Sequence, residues 1–316
     1  MHRILLFLST LLLSLLITAC SSESKNESNN NYPIKEVTDG IYYHQGIHQE
    51  PSEENMGAIA NVGFIIGERC VAVIDSGGSY LEGTYLRQAI TEKTDLPVCY
   101  VINSHVHPDH IFGNAAFKDD NPEFIGNEKL PAAIAARQGF FAKTFKETLG
   151  AAYKGTEFIS PTRTVSIGNP VTLDLGNRKL ILTAYPTSHT DNDLTVFDQK
   201  TKTLWTGDLL FMERIPVLDG SINGWLSTMQ QLKKLDLNYV VPGHGTASKD
   251  LWQQGFENQI RYFTTIHDEI RVIVDNLGTI KEATETVGIT EQNSWELFLD
   301  YHRRNVTASF VQLEWE

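Results

Sequence analysis

The sequence predicts a layered α/β domain. Two series of short apolar runs, helical spacing between and after them, and metal-ligating residues gathered where those runs end carry that expectation. In the first series, "GIYYHQG", "NVGFIIG" and "CVAVID" read as strands set apart by Gly, Asn and charged residues. "SYLEGTYLRQAITEKT" then places Leu81, Tyr85, Leu86, Ala89 and Ile90 at helical spacing, and "LPVCYVIN" is the next strand. Strand, helix and strand in that order predict a parallel pair joined by a crossover.

A long amphipathic helix follows in "KLPAAIAARQGFFAKTFKETLGAAY". The second series comprises "PVTLDLG", "KLILTAYPT", "DLTVFDQ" and "TLWTGDLLF", followed by the helix "GWLSTMQQLKKLD" and by "YVVPGHG", a strand entering a tight turn. From about residue 250 the chain is expected to be helical to its end. The folded domain is expected over 34–316.

The N-terminus reads differently. "MHRILLFLSTLLLSLLITAC" has the layout of a secretory signal over residues 1–20, too short in its apolar run for a comfortable membrane span. Ile17-Thr18-Ala19-Cys20 resembles the lipobox of bacterial lipoproteins, which implies lipidation at Cys20. Residues 21–33 form a polar tether between that anchor and the domain. The expected location is the bacterial periplasm. Ser21 after the cysteine, in place of Asp, favours the outer membrane, and the lipid anchor is the only membrane contact expected.

The net charge of −13, with no block of lysine or arginine, argues against nucleic acid as a partner. Apart from Cys20, only Cys70 and Cys99 remain. An oxidising compartment would permit a bridge between them. Because bridges across neighbouring parallel strands are awkward, two buried free thiols are the expectation.

The chemistry concentrates at "HVHPDH". His105 and His107 are two apart at a strand end and can share a face, with Asp109 and His110 entering the next turn. His189 in "TSHTDNDLTVF", Asp208 in "LWTGDLLF" and His244 in "VVPGHGT" each close an apolar run in the same way. A carboxylate at 208 would be costly there without a cation nearby. Imidazoles and carboxylates of this kind suit a borderline cation such as zinc.

These motifs, with Asp75 in "VIDSGG", resemble the metallo-β-lactamase-fold hydrolases from about Ile34 to His244. The resemblance implies a four-layer αββα sandwich with extra C-terminal helices and two Zn2+ ions at the edge between the sheets. His105, His107 and His189 would hold one ion and Asp109, His110 and His244 the other, with Asp208 bridging them. Asp at 208, not Cys, looks like the branch containing glyoxalase II and related esterases and lactonases. "INSHVHPDHIFGNAAF", "LWTGDLLFMERIPVLDGSINGWL" and "HRRNVTASFVQLEWE" further resemble the quinoprotein relay system zinc metallohydrolases, implying an association with a quinoprotein dehydrogenase system.

The expected function is dinuclear zinc-dependent hydrolysis, in which a metal-activated hydroxide attacks an ester, thioester, lactone or lactam; β-lactamase activity falls within that range. Asp109 would both ligate and orient the nucleophile, and Asp75 would fix a ligating histidine from behind. One alternative is an iron-dependent persulfide dioxygenase of the same fold. Another is a non-catalytic metal-binding accessory lipoprotein of a quinoprotein system. Asp193 is expected to hold a turn, Arg214 to face solvent rather than an anionic substrate, and His44 and His48 to lie at the surface. His267 and His302 carry no ligand spacing. The five tryptophans are expected to pack the core. Specificity is expected to lie in loops and in the insertion around 127–160.

Overall fold

The computed structural model describes residues 32–316. The signal segment, Cys20 and the tether up to residue 31 lie outside the described residues. Tyr32, assigned above to the tether, already packs on the domain: its ring stacks on His44 at 4.1 Å and its hydroxyl donates to Glu82 at 2.9 Å.

The first sheet has seven strands in the order of the chain: β1 (Lys35–Thr38), β2 (Ile41–His44), β3 (Val62–Ile66), β4 (Val71–Ile74), β5 (Val98–Ile102), β6 (Glu123–Asn127) and β7 (Arg163–Val165). β1 to β4 pair antiparallel and β4 to β7 parallel. The second sheet holds β8 (Val171–Asp174), β9 (Lys179–Ala184), β10 (Leu194–Asp198), β11 (Thr203–Phe211) and β12 (Tyr239–His244), in reverse order across the sheet. Its pairs are antiparallel except β11 with β12.

Strand alternation builds the layers. Ala72 and Ile74 face inward against Leu180, Leu182, Val196 and Trp205 of the second sheet. Val71 and Val73 face outward, where Leu86 and Ile90 of α1 (Tyr80–Lys93) cover them. On the far side, Leu204 and Val240 meet Trp225 and Met229 of α4 (Ile222–Leu232) and Phe256 and Phe263 of α5 (Trp252–Asp275). The result is helix, sheet, sheet, helix, with apolar periods of two in the strands matched to helical stripes. The short α2 (Pro108–Ile111) and long α3 (Leu130–Leu149) lie between β5 and β7 in the chain. α6 (Ile280–Thr286) and α7 (Phe298–Leu313) complete the C-terminal helices. No helix of the described residues is long and apolar enough to cross a membrane.

The start of α1 shows how local sequence sets the frame near the site. Ser79 caps the helix by accepting from the Glu82 amide at 3.1 Å, and Glu82 reaches back to the Gly78 amide at 2.6 Å. This variant of the capping box, closed on the residue before the cap, fixes the turn after Asp75.

Two expectations are corrected here. Cys70 and Cys99 are disulfide-bonded, with Cα atoms 5.8 Å apart. The parallel ladder is irregular at this point: Val71 pairs with Val98 but Ala72 with Tyr100, so Cys99 sits at the slip opposite the start of β4. That irregularity brings the two within bridging distance. Four tryptophans are buried as expected, but Trp315 is exposed at the chain's end.

Candidate metal centre

The ligand candidates converge from five places. His105 follows β5, His107 caps α2 and Asp109 and His110 lie in it, His189 follows β9, Asp208 lies in β11 and His244 ends β12. Asp208 does not end its strand as the apolar run suggested. β11 continues through Phe211, and a register shift around Gly207 turns the carboxylate toward the site. A Cβ at Gly243 would overlap Asp208 Oδ1, so the neighbouring strand must be bare at that position.

Two groups of ligand atoms result, His105, His107, His189 and Asp208 in one, Asp109, His110 and His244 in the other, each within 4.8 Å. Asp208 reaches both. Its Oδ2 lies 3.3 Å from His189 Nε2 and 3.4 Å from His244 Nε2, and its Oδ1 lies 3.1 Å from His110 Nε2.

The outer face of every imidazole decides what the inner face can be. His107 Nε2 donates to Asp219 Oδ2 at 3.0 Å, His189 Nδ1 to the Val217 carbonyl at 2.7 Å, and His244 Nδ1 to the Ile59 carbonyl at 2.7 Å. His110 Nδ1 donates to Asp75 Oδ2 at 2.8 Å. His105 Nδ1 donates to Ser104 Oγ at 2.9 Å, because that hydroxyl gives its own proton to Asp75. Each ring therefore holds one proton outward, which leaves its inner nitrogen as the atom a cation would take.

Those inward lone pairs crowd one another. His107 Nδ1 lies 3.0 Å from both His105 Nε2 and His189 Nε2, with no proton left to share. His110 Nε2 and Asp208 Oδ1 are buried without a hydrogen-bond partner. Such an arrangement is repulsive and poorly satisfied unless cations sit among the donors, so the residues fit metal ions.

The electrostatics agree. Burial holds His105 well below its ordinary pKa and His189 down to about 3, both in the neutral form a ligand needs. At His110 burial opposes the charge, but the carboxylates of Asp208, Asp109 and Asp75 overcome it and raise the pKa well above the usual value. Burial pushes Asp208 upward, yet the imidazoles of His244, His110 and His105 hold it well below the carboxylate range. The pocket thus calls for positive charge at its centre.

The family model described as the metallo-β-lactamase superfamily matches residues 56–244, more than half of the chain. The chain belongs to the metallo-β-lactamase superfamily. Among solved structures, the metallo-β-lactamase from Pontibacter korlensis is 18% identical with a TM-score of 0.57, over 73% of this chain and 98% of that one. The DIM-1 metallo-β-lactamase exposed to ceftazidime gives 17% and 0.57, over 74% and 96%. A double mutant of the sec-alkyl sulfatase PisA1 gives 15% and 0.62, over 81% of this chain but 45% of that one. At these identities the likeness concerns the fold. No curated protein matches the sequence.

Asp75 lies behind the centre, against His110. It sits in left-handed backbone at φ 53° and accepts from the Ser104 amide and hydroxyl as well as from His110. Asp193 holds the 190–193 turn by accepting from the Thr190 amide and hydroxyl.

Other expectations fail. His44 is buried, stacked on Tyr32 with its Nδ1 3.1 Å from the Pro33 carbonyl, and His48 is half-buried where it meets Glu296 at 2.8 Å. Arg214 does not face solvent: it is 3% exposed, and its Nη1 lies 3.1 Å from His244 Nδ1. Asp219 was not singled out at all, although it takes the His107 proton and pairs with Arg137. Its burial is opposed by that imidazole and guanidinium, which hold the carboxyl well below its usual range. In "PVLDGS" it carries no spacing signal.

A cavity of about 540 Å³ opens over the centre, with Asp109, His107, His189, Asp208 and His244 on its floor. α3, within the insertion at 127–160, supplies Phe140, Phe141 and Phe145 to one wall. Arg214, Tyr301 and Arg304 supply another.

Proposed function

We propose that the protein is a dinuclear zinc-dependent hydrolase acting on an ester, thioester, lactone or lactam. The observation that carries this reading is the outward protonation of all five histidines around a shared carboxylate, which leaves two adjoining sets of bare donors at the base of a cavity. His105, His107 and His189 would hold one ion and Asp109, His110 and His244 the other, with Asp208 between them. Bound there, a pair of divalent cations supplies a nucleophile at neutral pH and polarises the oxygen of the scissile group.

The chain's own residues do the remaining work. Asp109 is partly exposed to the cavity while its Oδ2 lies 3.4 Å from His244 Nε2. Its carboxyl is held well below the usual range by His110 and His244 against the upward push of burial, so it stays ionised as an acceptor that orients the attacking group. Asp75, Asp219 and the carbonyls of Val217 and Ile59 keep the rings aimed. The apolar wall of α3 excludes water from the bound substrate.

The test is turnover of a panel of carbonyl esters, thioesters, lactones and lactams by zinc-loaded protein. Activity that disappears with a chelator and returns with zinc supports the reading; no metal-dependent turnover on any of them contradicts it. The thiolate-free donor set also suits iron, the second reading, and metal analysis after anaerobic purification separates the two. A lipid-anchored periplasmic location is part of the proposal and rests on the N-terminal sequence.

A further inference from the structure

The cavity's rim is built from four segments distant in the chain, and each is tied to the next. The loop between β2 and β3, residues 45–61, meets the elbow after α3 through Glu53, whose carboxylate accepts from the Ala151 amide at 2.9 Å. Gly150 lies in left-handed backbone at φ 49°, and a Cβ there would overlap that carboxylate, so the elbow is bare where Glu53 seats. α3 is tied in turn to the loop after β11 by Arg137 on Asp219. That loop is tied to α7 by Asn305, which holds Pro216 and Leu218, and by Arg304 at 3.7 Å from Asp219. α7 returns to the first loop through Tyr301, which donates to Glu50, and just before the helix Glu296 meets His48 at 2.8 Å. The circuit closes.

The loop at 45–61 is also braced within itself. The Asn55 side chain accepts from the Ser52 and Gly57 amides at 2.8 and 3.0 Å and donates to the Glu50 carbonyl at 2.9 Å. Met56 packs into the cluster around Phe112 that also holds Phe141 and Phe145 of α3. Gly57 lies so close to Gly78 that a Cβ on either would overlap the other's backbone. Exposed polar contacts are individually weak; here backbone packing and the loop's own hydrogen bonds stand behind them. Glu296 and α7 lie beyond residue 244, where the family match ends, so the C-terminal addition completes the ring.

We propose that this rim is a fixed collar, and that it makes the cavity a well with one mouth that selects substrates by shape: the scissile group must lie near one end of a compact molecule, and a bond in the interior of an extended chain is excluded. A chain laid across an open groove can present any of its bonds to the floor. Inside a closed ring, both flanks of the bond must leave through the same opening. The volume of about 540 Å³ is in the range that takes one small molecule. The shape selection rests on the hydrolase reading; the fixed collar does not.

Two measurements on the zinc-loaded full chain test them apart. The first is hydrogen exchange of the amides in 45–61 and at Ala151, for wild type and the double variant Glu53→Ala, Glu296→Ala, which cuts one strap to each neighbour of the loop. Wild type is expected to protect Gly57, Ala58 and Ala151 by about a hundredfold or more over unstructured peptide, and the variant to lose about tenfold of that or more. The second compares kcat/KM for N-acetylglycine ethyl ester with that for a capped nonapeptide carrying one glycine–glycolate ester at its centre. Wild type is expected to favour the small ester by about tenfold or more, and the variant to narrow that margin by about threefold or more. Loop amides that exchange in wild type as fast as free peptide overturn the collar. Equal rates on the two esters, or a margin that the variant leaves unchanged, overturn the shape selection and leave the hydrolase reading standing. A protected loop with neither ester turned over sustains the collar and sinks the hydrolase reading.

Discussion

His107 gives its outer proton to Asp219 across 112 residues of sequence, Nε2 to Oδ2 at 3.0 Å, and so turns Nδ1 toward the other ligands. Asp219 is itself gripped by Arg137 from α3, which links that wall of the cavity to the three-histidine group by one carboxylate.

Asp219→Asn should therefore weaken metal binding at the group of His105, His107 and His189. An amide accepts more weakly and can present its NH2 to the ring, favouring the wrong tautomer. Metal affinity at this group is expected to fall by about 10–100-fold, read by competition with a chromogenic chelator. Unchanged affinity would show that His107 needs no such support.

Asn305 acts at longer range. Its amide donates to the Pro216 carbonyl at 2.6 Å and accepts from the Leu218 amide at 2.9 Å, bracketing the Val217 carbonyl that orients His189. Asn305→Ala should destabilise the fold by roughly 1–3 kcal/mol per orphaned group, measured by urea unfolding, and should also lower metal affinity. A stability loss with metal affinity intact would confine α7 to a structural role.

The layers and the gathering of the candidate ligands were legible in the sequence because both depend on local pattern. Strand alternation and helical spacing mark the apolar faces, and histidines or aspartates stand next to the runs that deliver them. Asp219 and Arg214 were not legible, because each is defined by a partner brought by folding: His107 and Arg137 for one, His244 and Tyr301 for the other. The Cys70–Cys99 bridge depends on a one-residue slip in a parallel ladder, which no periodicity reveals. His44 was misplaced because its cover, Tyr32, comes from a stretch whose composition reads as tether.

His44 yields a pH prediction. Burial lowers its pKa to about 4, from an ordinary 6.5. Above pH 6.5 the ring is neutral in both states and costs nothing. As pH falls from 6.5 to 4 the unfolded chain takes up the proton first, so stability is lost across that window, by up to about 3 kcal/mol. His44→Phe keeps the stacking on Tyr32 and removes the proton site. Its unfolding free energy, followed by denaturant titration from pH 7 to 4, should decline less steeply than that of wild type; parallel curves would count against the assignment.

The bridge between Cys70 and Cys99 closes a loop with a sequence separation of 29. Chain-entropy arguments give roughly 3–4 kcal/mol for a loop of that size. The double variant Cys70→Ala, Cys99→Ala should lose stability of that order in urea, and reducing agent should destabilise wild type but not the variant. Equal sensitivity of both proteins to reductant would refute the bridge.

The central claim is that two adjoining donor sets hold a metal pair through Asp208. It is tested most directly by metal content per chain, on protein purified without added metal or chelator, for wild type and Asp208→Ala. The account predicts close to two zinc ions per chain in wild type and a clear fall in the variant. One ion or none in wild type, or a pair that survives loss of Asp208, would contradict it.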